Sequence, residues 1–186
     1  MKFLKWFFKN LIMLIGVVIV LALANRRYLG GFISPEAKEQ NMGPYTIAYT
    51  NFIGEYSKVW PSMTKVYEIL SGAGIVSSTG IGIYYDDPAV VSWAELRSDV
   101  WAVIDAKDAS KIANNTGVKV KIIPGGNKIV VEFPFKNMFS SMIGPMKVYP
   151  VMTKYIEQKW YSHEVVMIEL YDMAAKKIYY MAEIVK

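Results

Sequence analysis

Residues 80–88 read Gly80-Ile81-Gly82-Ile83-Tyr84-Tyr85-Asp86-Asp87-Pro88, and a distorted echo returns at residues 166–172 as Val166-Met167-Ile168-Glu169-Leu170-Tyr171-Asp172. Each is an apolar strand running into aromatic and aspartate turn residues, each follows a helix-like stretch, and each precedes a second strand of alternating character. The chain therefore reads as two copies of one unit. Where the first copy has Ile83 the second carries Glu169. A carboxylate in an otherwise apolar strand needs a partner, because burying an unpaired charge is strongly unfavourable.

Outward from the first copy, Tyr45 to Gly54 is rich in β-branched and aromatic residues and ends on glycine, which predicts a strand. Val59, Met63, Val66, Tyr67 and Leu70 then recur at helical spacing; Pro61 suits a first turn, and Ser71-Gly72-Ala73-Gly74 supplies a stop. Ser78 to Asp86 is the strand quoted above, Asp86-Asp87-Pro88 opens a turn, and Trp93 to Asp105 returns as a third strand. A loop at Asn114 to Gly117 leads to strands at Val118–Ile123 and Lys128–Asn137. These flank Pro124-Gly125-Gly126-Asn127, a hairpin or a crossover between the halves. The second helix spans Phe139 to Trp160, with Met146, Tyr149, Val151 or Met152, and Tyr155 as core positions; Pro145 lies near its start, and Pro150 predicts a kink or a late start. Val165–Tyr171 and Lys177–Val185 close the chain as strands. The order β-α-β-β, link, β-α-β-β predicts an α+β domain whose duplicated units form an antiparallel sheet with two helices on one face.

The start of the chain has a different character. From Leu11 to Ala24 no residue is charged, and Phe3, Leu4, Trp6, Phe7 and Phe8 extend the apolar run. With Lys5 and Lys9 snorkelling to the interface, this reaches the ~20 residues that cross a bilayer. Residues 1–25 are therefore expected to be a single transmembrane anchor, 26–42 a polar linker with room for one helical turn, and 43–186 the folded domain. The competing reading is a cleaved signal peptide, since Ala22-x-Ala24 matches a small-residue cleavage pattern; the aromatic start and Arg26-Arg27 argue against it. Lys2, Lys5 and Lys9 against Arg26 and Arg27 favour an inner N-terminus, which puts the domain on the outer, periplasmic or extracellular, side. The 186 residues, 53% of them hydrophobic, include no cysteine, so disulfides and thiolate metal sites are excluded. The net charge of +5 comes without a basic run mixed with aromatics, which points away from nucleic acid and toward anionic lipid.

Phe52-Ile53-Gly54-Glu55-Tyr56, the helix ending in a small-residue turn, the Gly82–Pro88 block and the closing Ile168-Glu169-Leu170-Tyr171 resemble a GyrI-like domain over about residues 43–186. The resemblance implies two β-α-β-β units around a groove for small molecules, as in the effector-binding domains of multidrug-responsive regulators. Some members of that family hydrolyse reactive cyclopropane-containing compounds. An anchor followed by this domain is also similar to a membrane-anchored GyrI-like autophagy receptor of the endoplasmic reticulum. No helix-turn-helix pattern precedes the domain, so the regulators' DNA-binding role does not carry over.

Strand alternation places Val165, Met167, Glu169 and Tyr171 on one face and Val166, Ile168 and Leu170 on the other. The second set is aliphatic and is expected to pack under the helices, which leaves Glu169 and Tyr171 to line a groove. The resemblance implies that such a strand carboxylate pairs with cationic aromatic ligands. The plain alternative is a surface glutamate paired with a lysine such as Lys177. Tyr56, Tyr85 and Trp101 are the expected aromatic contacts, Tyr85 beside the turn and Trp101 on a strand face with Glu95, Arg97 and Asp99; core filling accounts for most other aromatics. Asp86 and Asp87 precede a proline and read as turn formers, not as metal ligands or a catalytic pair. His163, the single histidine, supports no triad and belongs to the loop before a strand, with an isolated haem ligand as the other reading. No cofactor and no metal are expected. Three functions follow: a membrane-anchored binder of a small lipophilic or cationic molecule, a hydrolase in which Glu169 or a tyrosine activates water, and a protein-interaction or tetrapyrrole-binding module.

Overall fold

The computed structural model describes residues 2–28, 31–112, 117–162 and 165–185. Among them eight strands form one antiparallel sheet: β1 (Ala37–Met42), β2 (Tyr45–Ile53), β3 (Thr79–Tyr84), β4 (Arg97–Val103), β5 (Lys119–Ile123), β6 (Gly126–Pro134), β7 (Met167–Asp172) and β8 (Lys177–Glu183). Their spatial order is β1-β6-β8-β7-β3-β4-β2-β5. The helices are α1 (Lys2–Tyr28), α2 (Trp60–Gly72), the short α3 (Ala109–Ile112) and α4 (Met138–Gln158). His163 and most of the loop expected at 114–117 lie outside the described residues.

The two echoing stretches are β3 and β7. They pair with each other at the centre of the sheet, Gly82 opposite Glu169. Outward from that seam the order is mirrored, β4-β2-β5 on one side and β8-β6-β1 on the other. The duplication is real, and each unit opens with an extra strand: β5, which the sequence predicts as a strand within the link, and β1, which it does not. Strand β1 leads into β2 but pairs with β6, and β5 leads into β6 but pairs with β2. Each half thus lends its first strand to the edge of the other.

This corrects the reading of residues 37–42 as linker. Ala37-Lys-Glu-Gln-Asn-Met42 is too polar to announce a strand, and only the tertiary partners hold it there. Lys38 Nζ donates to Glu132 at 2.7 Å, Asn127 donates to Glu39 at 3.0 Å, and Met42 is buried in the apolar core. The Pro124-Gly125 corner is a crossover and not a hairpin. It packs against the Gly43-Pro44 corner so closely that a Cβ on Gly125 would lie 2.9 Å from the Pro44 nitrogen. Gly43 also has a φ of +81°, a conformation that residues with a Cβ rarely adopt.

Helix α2 forms where the apolar spacing predicts. Pro61 occupies its first turn, Val66 and Leu70 are buried on its inner face, and Gly74, with φ +69°, ends it as Ile75 donates back to the Leu70 carbonyl. In α4, Asn137 caps the start by accepting from the Phe139 amide at 3.0 Å. The helix runs through Pro150, which the sequence marks as a break. Val148, Met152 and Ile156 bury against β6 and β8, and Pro150 removes the intrahelical donor only from the carbonyl of Met146, an exposed residue. Met146 is therefore not a core position.

The sheet has two apolar faces. On the helix side, α4 covers Ile129, Val131, Phe133, Ile178, Tyr180 and Ala182, while α2 covers Ala48, Ala102 and Ile104. On the far side Ile47, Ile81, Ile83, Ile123, Val130, Ile168, Leu170 and Met181 pack on one another with no helix, the sheet curling around them. The aliphatic set of β7 therefore does not lie under the helices. Glu169 does, and its face carries the candidate site.

Candidate functional site

A cavity of about 650 Å³ lies between α2, α4 and the centre of the sheet, within the roughly 300–1,000 Å³ range of small-molecule sites. Its sheet wall is set by glycines. Gly80 and Gly82 put no side chain on the helix face of β3, and the rings of neighbours fill that space. A Cβ on Gly82 would fall 2.8 Å from the Tyr84 hydroxyl, and one on Gly80 would touch Tyr171 at 3.6 Å. On the helix side, Trp60, Met63, Tyr67 and Leu70 of α2 face Ser141, Met142, Pro145 and Tyr149 of α4.

Glu169 stands in the sheet wall and is 4% exposed. Tyr149 from α4 donates its hydroxyl to Oε1, and Tyr171 donates to Oε2. Tyr84 is in hydrogen-bond reach of Tyr171, and Tyr180 pairs across the strands with Glu169 itself. Four phenols thus ring one carboxylate. Edge-to-face packing locks them: Tyr56 on Tyr84 at 4.8 Å, Tyr149 on Tyr180 at 5.8 Å, and Phe135 on Tyr171 at 5.9 Å. The Tyr180 hydroxyl is buried without a hydrogen-bond partner among the described residues, tucked under α4 where Gly144 makes room; a Cβ there would lie 2.0 Å from it.

Burial raises the Glu169 pKa above the ordinary 4.5, and the two tyrosine hydrogen bonds offset this only in part. Burial, reinforced by the neighbouring carboxylate, pushes Tyr84, Tyr149 and Tyr171 well above 10, so they stay O–H donors at neutral pH. No cation reaches Glu169 among the described residues. Asp99, the other buried carboxylate, has Lys121 Nζ at 2.5 Å, and Lys177 is taken by Glu132 at 2.6 Å. The surface ion pair between Glu169 and Lys177 is therefore not what the structure contains.

Of the residues singled out in sequence, Glu169, Tyr171 and Tyr56 come together along the cavity; Trp101 borders it, but it stands opposite Ile81 in β3, and strand alternation places it on the far face with Asp99. Tyr56 also bonds the backbone of Asp86 at 2.9 Å and of Arg97 at 3.1 Å, which fixes the turn. Tyr85 goes elsewhere. It donates to Asp99 at 2.7 Å and accepts from Lys121 at 2.8 Å, away from the cavity. The matching of Ile83 to Glu169 is off by one residue, and in a strand that reverses the face. Ile83 packs on the far side, and Tyr84, one position before Tyr85, is the cavity residue. Alternation of Gly80 and Gly82 with Ile81 and Ile83 is the signal that reveals the bare face. Asp86 and Asp87 act as turn formers: Asp86 accepts from the Arg97 amide and guanidinium, and Asp87 from the Ala89 amide. Trp93, Phe139 and Trp160 are exposed.

No protein-family model matches this sequence, and no curated protein matches it. Solved structures do match by shape. The C-terminal domain of EcmrR superposes with a TM-score of 0.60 at 13% identity, covering 83% of this chain and 99% of that domain. The chain shares the fold of that domain. Against EcmrR in its complex with DNA the TM-score is 0.61 at 13% identity, over 90% of this chain and 63% of the EcmrR chain, so this chain spans less than two thirds of that protein. An uncharacterized conserved protein from Listeria innocua matches with a TM-score of 0.50 at 9% identity, over 86% of this chain and 98% of that one. These likenesses agree with the GyrI-like fold that the sequence resembles.

Proposed function

We propose that the chain is a membrane-anchored small-molecule-binding domain in which Glu169 supplies the counter-charge for a lipophilic, cationic ligand. The observation that carries this is a buried carboxylate with no cationic partner among the described residues, on the wall of an apolar, ligand-sized cavity. A cation placed there gains Coulombic attraction in a low-dielectric site and the faces of Tyr84, Tyr149 and Tyr171. It also relieves the burial penalty that raises the carboxyl pKa. Tyr56, Trp60 and Met63 provide apolar contact area around the charge. The anchor is α1, a helix long and apolar enough to cross a bilayer and unburied by the rest of the chain. Lys2, Lys5 and Lys9 near its start, against Arg26 and Arg27 at its end, favour the outer side for the domain.

The test is a cationic fluorescent dye titrated into the wild-type chain and Glu169→Gln. Losing a charge-assisted contact should weaken binding by roughly 1.5–3 kcal/mol, about tenfold to a hundredfold. A neutral dye of the same shape should lose much less. Thermal stability should hold or rise, because removing a buried charge relieves its desolvation and the tyrosine hydroxyls can rotate to accept from the amide. Unchanged cation affinity together with a melted domain would make Glu169 a structural residue.

A further inference from the structure

The mouth of the cavity is apolar. Trp60, Tyr67, Val76 and Met142 line the cavity and are themselves exposed, so they mark its opening. On α4, Met142 belongs to a stripe with Phe139 and Met146; the three are 64%, 61% and 79% exposed and follow helical spacing. From Met138 to Ile156 the helix holds Lys147 and Lys154 and no acidic residue. The end of α1 lies at the same place. The Tyr28 ring is 6.0 Å from Lys136 Nζ, and Lys136 precedes the Asn137 cap of α4. Eight residues, 29–36, separate α1 from β1, a reach of at most about 30 Å.

We propose that this rim, with Trp60, Phe139, Met142 and Met146 at its centre, docks onto the lipid surface that holds α1. It rests on the anchor reading given above and adds an orientation to it. Trp and Phe side chains settle at the boundary between headgroups and acyl chains, and an acid-free helix face flanked by Lys136 and Lys147 suits anionic headgroups. The tether keeps that surface within reach. Docking opens the cavity toward the bilayer, and a lipophilic cation then reaches Glu169 from the lipid phase instead of from water.

The chain has no cysteine, so single cysteines serve as reporters. Full-length Met142→Cys, and Lys119→Cys as an exposed control that bonds Asn51 away from the cavity, each carry an environment-sensitive fluorophore. Both are reconstituted in vesicles of phosphatidylcholine and phosphatidylglycerol with a quencher on the acyl chains. Docking gives a blue shift and quenching at Met142 and neither at Lys119. Adding Phe139→Glu and Met146→Glu to the Met142→Cys chain should abolish both signals. A Met142 probe as wet and unquenched as the control overturns the proposal. A blue shift without quenching overturns it too, because that places a protein on the rim. Binding of a cationic dye by the same vesicles reads the cavity separately: quenching with no dye bound supports docking and overturns the ligand reading instead.

Discussion

Glu169 binds its proton more tightly in the folded chain than in the unfolded one, because burial outweighs the hydrogen bonds from Tyr149 and Tyr171. Between the ordinary 4.5 and the raised value the folded state therefore holds more protons, and stability declines as pH rises through that window. Urea titrations at a series of pH values should show this decline in the wild type and its loss in Glu169→Gln. A bound cation acts with the opposite sign. It favours the carboxylate, so cation affinity should increase with pH over the same window, read by dye titration, while a neutral dye shows no such trend. The residue at which sequence reasoning slips is Tyr85. Two adjacent tyrosines are chemically equal, and the strand's two-residue period alone decides that Tyr84 faces the cavity while Tyr85 serves the Asp99–Lys121 network.

At the level of elements, β1 shows how tertiary partners create a strand. Its residues favour no sheet, yet they cover the outer edge of β6, tie Lys38 to Glu132, and bury Met42. A fragment that begins at Gly43, where the domain starts by sequence resemblance, would leave β6 as an open edge. Compared with a fragment beginning at Gly31, it should melt at least about 4 °C lower from the lost Met42 burial alone, and aggregate more readily. Equal melting temperatures in calorimetry would show that β1 contributes nothing to the fold. Helix α4 makes the complementary point. Pro150 marks it as kinked or late to start, and burial of Val148, Met152 and Ile156 along one side keeps it continuous.

For the whole molecule the apolar first helix and the rest of the chain separate cleanly in composition, and the proposed anchoring gives a further expectation. Removing residues 1–30 should leave a soluble, folded domain, whereas the full chain should sediment with membranes and keep its N-terminus; a mature chain starting at Asn25 would mark a cleaved signal instead. The sequence by itself determined what depends on local pattern. The apolar first helix, the alternation of period two and period 3.6 and the turn chemistry at Asp86-Asp87-Pro88 are properties of short windows and reappear in the elements and turn, while the duplication reappears in the sheet order. That a carboxylate interrupts an apolar strand is equally local, so Glu169 was visible from the start. The tertiary structure alone decided the exchange of β1 and β5 between the halves, the helix-free packing of the far face, and the ring of Tyr84, Tyr149, Tyr171 and Tyr180 around Glu169. Those depend on pairings between residues up to a hundred positions or more apart, and on which of two faces a strand turns inward. A one-residue shift leaves the local pattern almost unchanged while it reverses every side chain, so only the packed sheet fixes the choice.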